Sequence, residues 1–283
     1  MTKLDLHTHT TASDGRLAPA ALVALAHRVG VTTLAVTDHD TTDGLTEARA
    51  AAPALGVEII TGIEFGCELP HGEVHMLGYL FDAEHPALRA RLAWLREGRV
   101  ERGQEMVAKR NALGLPIRWE RVQGIAAGGS VGRPHVAQAL IEGGFVADTN
   151  EAFSRYLAWG GPAYVPRRRL TPLDVIALIR EAGGVVSLAH PAHIPDLEAQ
   201  LAPLAEAGLT GLETYYGEYD APTVTWLADL AARFHLVPTG GSDYHAREIK
   251  DHAMLGGSPP VPLDTVALLR ERRPASPTPE ARP

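Results

Sequence analysis

A chain of 283 residues with a single cysteine, Cys67, cannot build an internal disulfide framework or a thiolate-based zinc knuckle. Any metal it holds must be bound by imidazole and carboxylate. Basic side chains are the scarcer charge, 26 against 34 acidic ones, and the net charge of -8 argues against broad, sequence-independent binding of long nucleic acids. A phosphate-rich ligand must therefore meet locally concentrated positive charge. No apolar run approaches the roughly 20 residues needed to span a bilayer, and MTKLDLHTH lacks a charged region followed by an apolar one. The expectation is a cytoplasmic protein without membrane contact. What the chain does have is 13 histidines and 45% hydrophobic residues, enough for an ordinary core. Its length suits one large α/β barrel, or a main domain with a smaller one inserted.

Short apolar runs recur, and most finish on a polar residue able to ligate: 4–9, 34–40, 57–64, 74–80, 185–190, 211–213 and 236–245. These read as strands. Between them lie helical patterns that close on glycine, 19–29 before Gly30, 45–55 before Gly56 and 173–182 before Gly183, as helix C-caps commonly do. Buried strands alternating with helices predict a parallel sheet, and polar residues repeated at strand ends predict a barrel whose carboxyl face carries the site. A doubly wound open sheet is the runner-up.

The rhythm breaks over 84–165, a span too long for one crossover. A long charged helix is expected over 88–113, then the Gly-rich turn GIAAGGSVGRPH and a second helix over 135–141. The segmentation is therefore a discontinuous barrel, 1–83 with 166–273, and an inserted helical subdomain, 84–165, lying over the barrel mouth. The tail 274–283, PASPTPEARP, has no apolar period and is expected to be disordered.

His7 and His9 stand two apart on a strand, so both rings leave one face and can reach one cation. Asp5 shares that parity and can accept a hydrogen bond from a ligating imidazole, fixing its tautomer. Asp14 follows in TASDG; Asp38, His39 and Asp40 close the second strand; Glu64 closes the third; His75 sits in the apolar run VHMLGYL; His190 ends VVSLAHP; and Asp243 and His245 end GGSDYH. Each has a bland reading as a turn, cap or solvated residue. Their joint occurrence at one level of nearly every strand does not, since polar residues scattered at random would also fall at strand starts and middles.

These motifs, HTHTTASDG, TDHD, the isolated Glu64, His75, AHP and SDYH, resemble the polymerase and histidinol phosphatase (PHP) superfamily in order and spacing, across the chain to about residue 260. The resemblance implies a distorted TIM-like (βα) barrel with an inserted helical subdomain. It also implies two or three divalent cations, manganese favoured over iron or zinc. His7, His9, Glu64 and Asp243 would hold the first, Glu64 would bridge to a second held by His75 and His190, and Asp14, His39 and His245 would hold the third. Glu64, Asp243 and His190 would act at the reacting phosphate. Three divalent cations against three carboxylates leave a centre that attracts a phosphate dianion and acidifies water to a nucleophile. Where the family usually has an arginine two residues after AHP, this chain has His193.

REGRVERGQEMVAKRNALG followed by GRPHVAQALIEGG is similar to the group of 3',5'-nucleoside bisphosphate phosphatases, relatives of which are 5'-to-3' exoribonucleases on short RNA. In that segment Ser130 can cap a helix starting near Pro134, and Arg133 and His135 flank a helix start of the kind that favours anions. Arg167, Arg168 and Arg169 form a second basic cluster, with Arg168 assigned to substrate binding alongside His193; a solvated charge run is the plain alternative. Tyr215, Tyr216 and Tyr219 can stack a base or simply pack. The expected partner is a nucleoside bisphosphate or a short RNA. Histidinol phosphate is a third candidate substrate, and a catalytically silent metal-binding module is the non-enzyme alternative.

Overall fold

In chain order the elements are β1 (Lys3–Asp5), α1 (Pro19–Val29), β2 (Val31–Val36), α2 (Gly44–Ala51), β3 (Glu58–Leu69), β4 (Gly72–Tyr79), α3 (Pro86–Ala112), α4 (Trp119–Ala126), α5 (Arg133–Glu142), α6 (Thr149–Ala152), α7 (Pro172–Glu181), β5 (Val185–Leu188), α8 (Leu197–Glu206), β6 (Gly211–Tyr216), α9 (Ala221–Arg233), β7 (Val237–Gly241) and α10 (Thr265–Glu271). They come from a computed structural model that describes residues 3–69, 72–126, 131–246, 255–256 and 259–274. Ser130 and nearly all of the tail lie outside these residues. Contacts divide the chain into two compact units, Met1–Arg89 with Leu170–Pro283, and Ala90–Arg169.

Local chemistry sets the helix ends. α1 begins with proline, whose missing N–H costs nothing there, and stops at Gly30, which adopts φ 82 and donates to the carbonyls of Ala26 and His27. α7 opens with a capping box: the Thr171 hydroxyl accepts from Asp174 N–H, and the Asp174 carboxylate accepts from Thr171 N–H at 2.9 Å. The single helix expected over 45–55 is in fact two pieces. α2 ends before Pro53, which cannot donate to the preceding turn, and a 3-10 turn over Pro53–Leu55 carries the chain to Gly56.

In the first unit all seven strands form one sheet in sequence order, β1 to β7. Leu6 N–H donates to Gly240 O at 3.2 Å and His9 N–H to Tyr244 O at 2.9 Å, so the last strand returns to the first and nearly closes a barrel. A side chain at Gly241 would collide with His7 N at 2.4 Å, which is why the second glycine of GGSDYH stands where these backbones meet. One apolar cluster draws Leu4, Ala35, Ile60, Leu77, Val185 and Val237 from six strands, as a closing sheet requires. A second packs α1 and α2 onto β2 through Leu22, Val23, Leu34 and Leu45.

The sheet is mixed, correcting the all-parallel expectation. β4 is antiparallel to both β3 and β5, while the other four pairings are parallel. The cause lies in chain length. Only residues 70 and 71 separate β3 from β4, far too few for the crossover that a parallel pair needs. The second unit has its own core, with Met106, Val107, Val122, Val136 and Leu140 buried together. Among the described residues no helix is long and apolar enough to cross a membrane.

Candidate metal centre

One carboxylate organises the site. Glu64, 1% exposed, turns Oε2 toward His7 Nε2 (3.4 Å), His9 Nε2 (3.2 Å) and His39 Nδ1 (3.1 Å), and Oε1 toward His75 Nδ1 (2.9 Å) and His190 Nε2 (3.3 Å). Asp243 Oδ1 faces the first two rings at 3.5 and 3.2 Å. Asp14, half-exposed in the loop after β1, stands 3.6 Å from His9 Nδ1, 3.7 Å from His39 Nε2 and 3.2 Å from His245 Nε2. The nine residues singled out at the strand ends thus converge: eight fall in three overlapping groups able to hold a cation, His7, His9 and Asp243; His39, Glu64 and His75; and His9, Asp14, His39 and His245, and His190 joins them through Glu64 and His75.

Two of the nine arrive differently from the expectation of strand ends. Glu64 lies mid-strand, because β3 runs on to Leu69 in order to pair with β4. His75 lies in the amino half of β4, because a reversed strand presents its beginning to the rim where parallel strands present their ends. The chain loses regular pairing beyond Asp5, and an isolated bridge between Thr8 and Tyr244 carries His7 and His9 to the rim. Asp40, His190 and Asp243 all take left-handed backbone conformations, φ 52, 29 and 53, a strain that tends to concentrate at functional sites.

The donor set fits divalent cations. His7 Nε2 and both ring nitrogens of His9 are buried without a hydrogen bond, although carboxylate oxygens stand 3.2–3.6 Å away. Lone pairs aimed at lone pairs repel unless positive charge sits among them. Burial opposes charge on His7, His9 and His75, yet the neighbouring carboxylates outweigh it, pushing His9 up to about 9, His75 up to about 10 and His7 well above its usual range. Burial works against Glu64 as a carboxylate too, but His39, His7 and His75 hold it well below the ordinary range. His39 is brought down to about 4 by burial, which keeps its nitrogens available as ligands. Cys67 is buried on the same strand with its thiol at Phe65 O, outside this set of nitrogen and oxygen donors, which suits manganese, iron or zinc.

Several supporting roles differ from the sequence reading. Asp5, expected to steady an imidazole, instead accepts from the Ser242 hydroxyl (2.7 Å) and from Ser242, Gly256 and His7 N–H (2.9, 2.8 and 3.3 Å); it ties backbones together because its side chain points to the β7 side. The carboxylate behind the His7 ring is Glu213, with Oε1 2.9 Å from Nδ1. Its only sequence signal was its place at the end of an apolar run. His245 finds its second-nitrogen partner in Asp243 O at 2.9 Å. Asp38 stays out of the cluster and binds Thr10 N–H, Thr10 Oγ1 and Ser13 Oγ at 2.7–2.8 Å, anchoring the loop that bears Asp14.

The tyrosines pack and brace. Tyr219 OH accepts from Ala192 N–H at 2.9 Å, and Tyr216 OH donates to Asp243 Oδ2 at 2.9 Å, leaving Oδ1 for the cluster. Tyr216→Phe is expected to weaken zinc binding by up to about 10-fold with the fold intact, since outer partners tune ligand carboxylates. Calorimetric titration of chelator-stripped protein measures this, and unchanged affinity would mean that Asp243 needs no brace.

Of the residues assigned to substrate, His193 is exposed on the 3-10 turn following His190. It joins His75, His190, Glu73, Asp196 and Gln200 around a cavity of about 490 Å³. The others belong to the second unit. α5 starts at Arg133 with Gly132 as its N-cap, one residue before Pro134, and His135 Nδ1 accepts from Gly132 N–H at 2.9 Å. Arg133 reaches Leu157 O at 3.4 Å and lies over the Phe153 ring. Arg168 is ion-paired with Glu101 and lies over the Trp94 ring.

Residues 5–120 match the PHP domain family. The chain is 38% identical over 248 residues to the 5'-3' exoribonuclease Rnm of Salmonella typhimurium, covering 85% of this chain and 84% of that protein. It is 34% identical over 257 residues to the 3',5'-nucleoside bisphosphate phosphatase of Chromobacterium violaceum, covering 87% and 88%. A crystal structure from Bifidobacterium adolescentis, described as a metal-dependent phosphoesterase, superposes with a TM-score of 0.78 at 32% identity over 95% of this chain and 96% of that one.

Proposed function

The chain belongs to the PHP family of metal-dependent phosphoesterases, and from that premise we propose that it removes the 3' phosphate from nucleoside 3',5'-bisphosphates. The observation that carries the reading is Glu64, a buried carboxylate faced by five imidazoles, with Asp243 and Asp14 completing the ring of donors. Divalent cations bound there supply Lewis acidity and a water nucleophile at neutral pH. His7, His9, Glu64 and Asp243 would hold one ion, His75 and His190 with Glu64 a second, and Asp14, His39 and His245 a third.

The protein's own groups do the rest. His39, His75 and His190 are about one-quarter exposed, whereas His7 and His9 are buried, so an ester approaches the centre from the side of these three rings. The cavity beside them has the size of a small-ligand pocket. Glu73 and Asp196 on its wall oppose a second phosphate and favour the sugar and base of a nucleotide, whose hydroxyl and amino groups donate hydrogen bonds. The acidic net charge likewise favours a small substrate over a long polyanion.

A second reading, 5'-to-3' removal of nucleotides from short RNA, is favoured by the higher identity to the exoribonuclease. A screen of manganese-loaded protein against nucleoside bisphosphates, short 5'-phosphorylated RNAs and histidinol phosphate separates them. Release of inorganic phosphate and a 5'-mononucleotide from the bisphosphate supports the proposal. Preference for RNA, with mononucleotides as product, favours the second reading, and turnover of none favours a silent binding module.

Selection of the second phosphate is assigned to Arg133 and His135, at the start of α5. Arg133→Ala is expected to lower kcat/KM on a 3',5'-bisphosphate by roughly 10- to 100-fold, about 1.5–3 kcal/mol for a charge-assisted contact. On a nucleoside with only a 3' phosphate the change should cost little, and bound metal should be unaffected. Steady-state kinetics on both substrates give the comparison. Equal losses would move Arg133 to the reacting phosphate.

A further inference from the structure

Glu213, fully buried in the middle of β6, touches the centre at two places without facing its interior. Oε1 stands 2.9 Å from His7 Nδ1, and Oε2 accepts from the backbone N–H of His190 at 2.7 Å. The first bond acts on a ring. A neutral imidazole carries one hydrogen, and an ionised carboxylate at Nδ1 draws it there, leaving the Nε2 lone pair pointed at the gap shared with Glu64 and Asp243. The second bond acts on a backbone. His190 sits at φ 29, ψ 56, a conformation disfavoured for any residue with a side chain, and from it the ring places Nε2 3.2 Å from His75 Nδ1 and 3.3 Å from Glu64 Oε1. His7 and His190 serve opposite sides of Glu64, so one carboxylate steadies both.

We infer that Glu213 is a positioning residue for two halves of the centre at once, setting the His7 tautomer and holding the His190 turn, so that its loss weakens cation binding although no ligand is removed. This rests on the metal-centre part of the proposed function. It also gives the apolar run at 211–213 a reason to end on a carboxylate rather than on another apolar residue. A purely space-filling role for this side chain makes a different prediction. Glutamine has the same size and shape but only one acceptor oxygen, whereas two N–H donors face residue 213. It can satisfy one and must oppose the other. If its NH2 turns to His7, that ring must accept at Nδ1 and carries its hydrogen on Nε2, where a cation is to bind.

The test uses full-length protein stripped by a chelator and titrated with zinc, comparing wild type, Glu213→Gln, Glu213→Ala and the exposed control Glu206→Gln. Both Glu213 variants are expected to bind zinc about 10- to 100-fold more weakly, with the control unchanged. Circular dichroism of the stripped proteins establishes folding; should the alanine variant fail to fold, the isosteric glutamine decides. In zinc-loaded wild type, nitrogen-15 NMR is expected to find the His7 ring hydrogen on Nδ1, with that signal shifted or lost in Glu213→Gln. Wild-type zinc affinity together with an unchanged His7 signal in Glu213→Gln would overturn the inference. Wild-type protein that binds zinc yet hydrolyses no phosphoester would sink the proposed function and leave Glu213 where it stands.

Discussion

Removing divalent cations with a chelator is expected to abolish phosphoester hydrolysis, and adding manganese back is expected to restore it. Elemental analysis before stripping should find two or three transition-metal ions per chain. The size of the effect follows from what the side chains alone can offer. Three carboxylates converge with six imidazoles, and without cations the positive charge in the cluster is limited to protons held on rings such as His9 and His75. Protons on those rings neutralise the carboxylates but offer a phosphoryl oxygen no Lewis acid and lower no water pKa. Losing several kcal/mol of transition-state stabilisation corresponds to a drop of roughly 10³-fold or more. The same competition gives a pH trend: ligating imidazoles must release their protons, so cation affinity should fall as pH is lowered. Undiminished hydrolysis by fully demetallated protein would falsify the mechanism.

The second large effect belongs to Glu64. Glu64→Ala should lose at least one ion and nearly all turnover, roughly 10³-fold or more, because one carboxylate faces rings of all three cation groups. Two controls make the result readable. Glu68→Ala lies four residues further along the same strand, where the side chain is exposed, and should stay within a few-fold of wild type. Glu64→Gln keeps the volume of the buried side chain, so a similar loss there assigns the effect to charge and lone pairs rather than to a cavity. Metal content and turnover measured on the same preparations join the two readouts. Glu64→Ala behaving like Glu68→Ala would mean that no cation depends on this carboxylate.

Much of the site was legible because its signals are short-range. HTH places two rings on one face of an extended chain, and TDHD, AHP and SDYH each end an apolar run, so parity and run length set seven of the nine converging residues at the ends of apolar runs, with Asp14 in the turn after the first run. His75 was the ambiguous one. Inside VHMLGYL it reads as a core histidine, and only its place on a reversed strand brings it to the rim. The helix boundaries at Gly30 and Gly183 were equally plain, since a left-handed cap needs glycine in the chain itself. The break of α2 at Pro53 carried a local signal that helical periodicity overrode.

By itself the sequence determined the donor chemistry, nitrogen and oxygen without thiolate, the spacing that sets His7 and His9 side by side, the alternation that yields a barrel, and the stretch where that alternation stops. These are properties of neighbouring residues, governed by parity, propensity and capping. Tertiary structure alone decided which partner stands behind which ring. Asp5, two residues from His7, was the local candidate to steady it, yet Asp5 binds Ser242 and Gly256, and the ring is held by Glu213, 206 residues away. That choice depends on where β6 and β7 fall in the closing sheet and on β4 running backwards between its neighbours. Register and strand direction are summed over every pairing in the sheet, and no local run of residues contains that sum.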